Sequence, residues 1–351
     1  MEIGYIGYSK DLSHPADRRR IAIWNSIPGN RINTESPLEG EMLLLSNAAN
    51  LGFWIKKSHK PVVLDLVDAY LASTPNFFVD FLRNLLRTFS GTSNFKWLTY
   101  TRHLKYACTN SDAIIVASDE QRNLLAKYNS KIFVIQDDHS EIDVNLQVNG
   151  DLPHARVDSK WIYWDGFGFT LKHFEHISKQ LDLFLSKNDW QLKLITNVDF
   201  PRWGNRFGKV RSEDLISKWF PTSRNRVQII PWSVENVLQY SSLASFSIVP
   251  IDVDDLFAKY KSENKLLAMI HLNLPVLFSN TPAYSRIARD ASLSGLVEKP
   301  TDWLFSLEEF STNIHRRQND ESNGRIYINN NHTLEILIRK WQIMISEIVE
   351  S

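Results

Sequence analysis

Four groups of residues carry the types and spacing that could do chemistry. The first is Ser262-Glu263-Asn264-Lys265, at the head of an apolar helical pattern over 262–272 that stops before Pro275. Free backbone N–H groups and partial positive charge gather at a helix N-terminus, and a phosphate suits that place. Lys265, one turn in, could reach the same phosphate, or it is a surface lysine; Ser262 reads first as an N-cap. The second group follows the apolar run Trp161–Trp164: Gly166-Phe-Gly168, then Lys172. A dinucleotide fingerprint would need a third glycine at Leu171, so that reading fails. The third is Asp252-Val-Asp254-Asp255, either hard oxygen ligands for a divalent cation or a solvated acidic loop; the solvated loop is favoured. The fourth is the loop after the first apolar run, with His14, Asp17 and Arg18-Arg19-Arg20. His14 or Asp17 could orient a hydroxyl and the arginines an anion, or Asp17 caps a helix whose arginines are exposed. Asp68, ending a further strand, is a rim candidate of the same kind.

Such residues need strands to end beside them. Apolar runs at Ile3–Tyr8, Met42–Leu45, Val62–Leu66, Ala113–Ala117 and Ile132–Ile135 alternate with helical patterns, among them Ala16–Ile27, Phe77–Phe89, Phe95–Ala107 and Glu120–Tyr128. After a linker-like stretch, 144–158, the alternation restarts. Its runs are Trp161–Trp164, Gln191–Thr196, Val227–Ile230, Phe246–Ile251 and Val276–Ser279, with a helix expected over Leu171–Ser186 and a closing one over Thr333–Val349. Alternation of this kind predicts α/β architecture with doubly wound parallel sheets. The expected units are 1–150 and 151–332, with 333–351 as the closing helix, and the carboxyl ends of both sheets facing a shared cleft.

Bulk composition narrows the rest. The 351 residues hold 40 Lys+Arg against 40 Asp+Glu, so no global charge argues for a nucleic-acid partner. A single cysteine, Cys108, excludes an intrachain disulfide and a cysteine metal cluster. No run is long enough to span a bilayer, and the N-terminus lacks a signal-peptide pattern, so a soluble cytoplasmic protein is expected. One region stands apart. Residues 77–106 carry Arg83, Arg87, Lys96, Arg102 and Lys105 against Asp80 alone, interleaved with Phe and Trp. Either this pair of helices lies peripherally on an anionic bilayer, or it packs an aromatic face inward and turns a basic face to solvent.

Read in order, several segments resemble the retaining GT-B glycosyltransferases that use nucleotide sugars. They are Gly166 to Lys172, Val227-Gln-Ile-Ile-Pro-Trp with Ser233-Val-Glu, Phe246-Ser-Ile-Val-Pro-Ile, Asn264-Lys265-Leu266 with Pro275-Val276, and Ser111-Asp-Ala-Ile-Ile-Val-Ala-Ser. The resemblance implies two Rossmann-like domains facing a cleft, with the C-terminal helix crossing back to the first. It implies a UDP- or GDP-linked donor held by Gly166, Lys172, Ser262, Glu263, Asn264 and Lys265, and a glycan or lipid-linked acceptor near Arg18 and Asp68. His14 and Asp17 are the catalytic candidates, and no metal or cofactor is implied beyond the nucleotide-sugar co-substrate. Surface polysaccharide assembly in bacteria is the implied setting. The family's paired glutamates fall here on Tyr260 and Ala268, and its glycine before the proline on Asn273. A binding or scaffold protein partnering an active transferase is the alternative that these departures raise.

Overall fold

The apolar runs do become parallel strands, the central ones buried on both faces. In a computed structural model, described for residues 1–349 except 10, 13, 74, 141, 143–158 and 202–207, the chain forms two compact units. The expected linker 144–158 lies outside the described residues.

Unit 1 comprises Met1–Asp138, Tyr260–Asn264 and His332–Ser351. Its strands are β1 (Glu2–Ile6), β2 (Arg31–Asn33), β3 (Met42–Ser46), β4 (Val62–Leu66), β5 (Ala113–Val116) and β6 (Ile132–Val134). They form one parallel sheet in the order β2-β1-β3-β4-β5-β6. The winding reverses between β1 and β3, so the loop after β1 opens at the switch point, where doubly wound sheets bind ligands. The last helix, Leu334–Val349, belongs to this unit, as the resemblance implied. Its Leu337, Trp341, Met344 and Ile348 are buried with Ile3, Ile23 and Trp24, and Trp341 meets the Trp24 ring edge-on at 5.8 Å.

Unit 2 comprises His139–Lys259 and Lys265–Asn331. Here β7 (Trp161–Asp165), β8 (Gln191–Thr196), β11 (Val227–Pro231), β12 (Phe246–Val249), β13 (Val276–Ser279) and β14 (Leu296–Val297) run parallel in the order β11-β8-β7-β12-β13-β14. The reversal falls between β7 and β12. A small antiparallel pair, β9 (Asp199–Pro201) and β10 (Lys209–Arg211), stands apart from the main sheet.

Two expectations around the candidate site residues change. The stretch expected as a helix from Leu171 is a run of 3₁₀ turns over Gly168–Ile177, and a regular helix starts only at Ser178. The helix expected from Ser262 spans Asn264–His271, so Ser262 precedes it by two residues and is not its first cap. Its end is a left-handed stop: Asn273 has φ +57°, and Leu274 N–H donates to Met269 O at 3.1 Å. Asparagine tolerates that conformation better than other residues with a Cβ, which explains how it stands where the resembled family has glycine. Its amide also donates to the Glu321 carboxylate at 2.6 Å.

Candidate functional site

In unit 2 the switch point is built around Gly166, directly after β7. The Lys265 ammonium donates to the Asp165 carbonyl and lies 3.9 Å from the centroid of the buried Trp164 ring. Gly166 leaves room for this: a Cβ there would stand 2.6 Å from Lys265 Nζ and 2.9 Å from the Trp164 ring. Its amide donates to Ile195 O at 3.1 Å and its carbonyl accepts from Thr196 Oγ1 at 2.7 Å, which ties the turn to the end of β8. Gly168 N–H donates to Asn197 Oδ1 at 3.1 Å. A half-buried ammonium thus sits at the carboxyl edge of a parallel sheet, beside a glycine turn packed against the Trp164 and Phe200 rings. That arrangement suits an anion such as a diphosphate. Two exposed rings, Phe167 and Phe169, stack at 5.5 Å on the same turn.

Lys172 is placed differently from Lys265. It is exposed and pairs with Asp255 at 2.8 Å, so its partner is the acidic loop rather than the Gly166 turn. Asp255 also accepts the Phe257 amide at 3.0 Å, and Asp252 accepts the Asp254 amide at 3.1 Å. These carboxylates therefore organise their own loop.

Ser262, Glu263 and Asn264 group with unit 1, although Lys265 is the next residue. Ser262 and Glu263 are buried there, and Glu263 accepts from Gln136 Nε2 at 3.4 Å. Asp68 pairs with Lys261 at 3.5 Å, which gives that rim carboxylate a cation that sequence reasoning had not assigned.

The loop after β1 is held by Asp17. One carboxylate oxygen accepts from Tyr5 Oη at 2.7 Å and Tyr8 N–H at 2.8 Å; the other accepts from Ser9 N–H at 2.9 Å and Ser9 Oγ at 3.1 Å. Asp17 is fully buried inside the helix Pro15–Asn25, so it neither caps that helix nor faces solvent. Burial, then the nearby Asp65 and Asp17 carboxylates, push the Tyr5 phenol far up, which keeps it a donor. His14 is the exposed member of the set. Its amide donates to Ser9 Oγ at 3.0 Å, its ring stacks on Tyr8 at 4.9 Å, and its Nδ1 accepts the Ala16 amide at 3.2 Å. Accepting at Nδ1 leaves the proton of the neutral ring on Nε2, as a donor. Arg18 lies in the first turn of the same helix, its amide donating to His14 O at 3.0 Å.

Arg20, read from the sequence as either an anion-holding or an exposed arginine, is 1% exposed. It lies 3.1 Å from Asp65 and 3.6 Å from Asp137, and donates to Ile135 O at 2.6 Å and Gln136 O at 3.2 Å. Burial pushes the Asp65 carboxyl up to about 6, against the lowering effect of Arg20. The signal was present in β4: a carboxylate inside the run Val62-Val-Leu-Asp65-Leu needs a buried cation.

No family model matches the sequence, and no curated protein matches it. Solved structures do. A glycosyltransferase from Rickettsia africae superposes with TM-score 0.62 at 12% identity, over 100% of this chain and 98% of that one. HepE from Anabaena, in complex with UDP and glucose, gives 0.61 at 10%, covering 89% and 79%. TarM gives 0.60 at 11%, covering 86% of this chain and 54% of its own, so the chain spans about half the length of that protein. The likeness is one of fold, and the fold is that of the GT-B glycosyltransferases.

Proposed function

We propose that the chain transfers a sugar from a nucleotide-sugar donor to a glycan or lipid-linked acceptor, in the cytoplasm and as a step in surface polysaccharide assembly. The observation that carries this reading is the Lys265 ammonium beside the Gly166 turn at the switch point of unit 2. HepE, of the same fold, holds UDP and glucose, which makes UDP the first donor nucleotide to test. In the transfer the C1–O bond to the diphosphate breaks, a bond from C1 to the acceptor oxygen forms, and the acceptor hydroxyl's proton passes to the leaving diphosphate. Negative charge develops on the leaving diphosphate, and in this reading Lys265 with the first amides of its helix stabilises it. Lys172 is a second cation for that charge once it leaves Asp255. Asp17 acts as a positioning residue: through Ser9 it holds the loop that presents His14, whose Nε2–H orients the acceptor. Transfer with retention and without a bound metal belongs to the same reading.

A binding or scaffold role is the second reading, favoured by Tyr260 and Ala268 where the resembled family has carboxylates, and by Glu263 grouping with unit 1 instead. Hydrolysis of the donor without acceptor separates the two. Slow release of free UDP or GDP from a nucleotide sugar, abolished in Lys265→Ala, supports transfer. No release from any common conjugate points to the scaffold.

A further inference from the structure

The helix Phe77–Phe89 in unit 1 is packed inside out. Asp80 and Asn84 are its buried residues, while Phe77, Phe78, Leu82, Leu86 and Phe89 are exposed, Phe78 at 64% and Phe89 at 70%. The inward polar side chains are hydrogen-bonded, Arg87 Nε excepted. Asp80 accepts the Thr101 amide at 3.1 Å, Asn84 accepts from Ser93 Oγ at 2.6 Å, and Arg87 donates to Asn47 O at 2.7 Å. This orientation is therefore specified by hydrogen bonds, and among the described residues it leaves an apolar stripe exposed. Beside it lies a depression of about 500 Å³, lined by Phe53, Lys56, Lys57, Lys96 and Trp97 among others. Asn50 Nδ2 donating to Gly91 O at 3.2 Å, and Asn84 Nδ2 to Asn94 O at 3.3 Å, join the helix to the depression's wall. The indole N–H of Trp97 is buried there without an acceptor. Over 51–60 and 77–110 the only carboxylate is the buried Asp80, against eight Lys and Arg.

An apolar helical face beside a set of lysines, in stretches whose only carboxylate is buried, matches the boundary of an anionic bilayer rather than a second protein, whose surface carries both signs. We propose that this surface seats the chain on an anionic membrane. The Phe77–Phe89 stripe enters the headgroup and acyl boundary, and Lys56, Lys57 and Lys96 take lipid phosphates. The helix has 13 residues, about 20 Å, too short to cross a hydrocarbon core of about 30 Å, so it lies on the membrane. The surface lies wholly in unit 1, so its test is independent of the sugar-transfer reading, which rests on the Gly166 turn of unit 2.

Co-sedimentation with vesicles tests it, using phosphatidylcholine alone and an equal mixture with phosphatidylglycerol. The wild-type chain should bind only the anionic vesicles and be released by salt. Each lysine near such a surface is worth about fivefold, so Lys56→Ala, Lys57→Ala and Lys96→Ala together should weaken binding about a hundredfold. Phe78→Asp or Phe89→Asp should weaken it about tenfold or more. All five positions are exposed, and if an aspartate variant fails to fold, the lysine variant carries the test. Absence of binding to anionic vesicles overturns the proposal, as does binding of inorganic phosphate alone. Unchanged vesicle binding in the variants, with or without loss of a wild-type dimer in solution, overturns it too.

Discussion

Replacing Arg20 by methionine should destabilise the chain by an amount that grows with pH. Arg20 and Asp65 are both buried, 3.1 Å apart, and Arg20 also serves two backbone carbonyls and Asp137. Removing one partner of a buried pair costs about 3–5 kcal/mol, because the other charge is stranded. The pH dependence follows from Asp65, whose carboxyl burial raises to about 6, above its unfolded value. A raised carboxyl contributes stability that is complete below the unfolded value and is lost as pH rises through about 6, at about 1.4 kcal/mol per unit. In Arg20→Met the lowering influence of the guanidinium is gone, so the carboxyl rises further and the loss continues at higher pH. Near pH 5.5 both forms carry a largely protonated Asp65, and the penalty reduces to the missing carbonyl hydrogen bonds, about 1–2 kcal/mol. Near pH 8 it should reach the full 3–5 kcal/mol. Urea unfolding at the two pH values, with Arg20→Met/Asp65→Leu as the restoring double variant, measures both figures. A penalty that is flat across this window, or below about 1 kcal/mol at pH 8, would refute the reasoning.

Three further outcomes are expected. Gly166→Ala places a methyl 2.6 Å from Lys265 Nζ and should weaken nucleotide binding about tenfold or more, read by calorimetry, with the sheet intact by circular dichroism. Asp17→Asn turns an acceptor of four hydrogen bonds into a partial donor; it should cost about 1–3 kcal/mol in thermal unfolding and lower kcat without raising KM for the donor. Lys172→Ala removes an exposed pair with Asp255 and should change stability by less than about 1 kcal/mol in the same melts, so any loss of transfer in that variant reports phosphate contact.

The sheets were legible because strands buried on both faces read as unbroken apolar runs, as Met42–Leu45 and Ala113–Val116 do. The edge strand β2, Arg31–Asn33, was not: it is short and half exposed, so no burial pressure marks its residues. The polar helix Ile314–Asn331 was equally silent, since its buried side includes Arg317, Asp320 and Glu321 rather than an apolar stripe. At the site, Lys265 and Gly166 were legible from the strand ends that flank them. Arg20 was hidden inside an arginine run whose other members are partly exposed. For Phe77–Phe89 the periodicity showed two faces but not which one turns inward. That was decided by Thr101, Ser93 and Asn47, residues distant in sequence that hydrogen-bond its polar side.

The central claim is a working diphosphate site at Lys265, and calorimetric titration of UDP, GDP and their sugar conjugates tests it most directly. The account predicts micromolar binding of one nucleotide family, weakened about 10- to 150-fold in Lys265→Ala as a charge-assisted phosphate contact is lost. Binding that Lys265→Ala leaves unchanged, or no binding of any of these nucleotides, would contradict it.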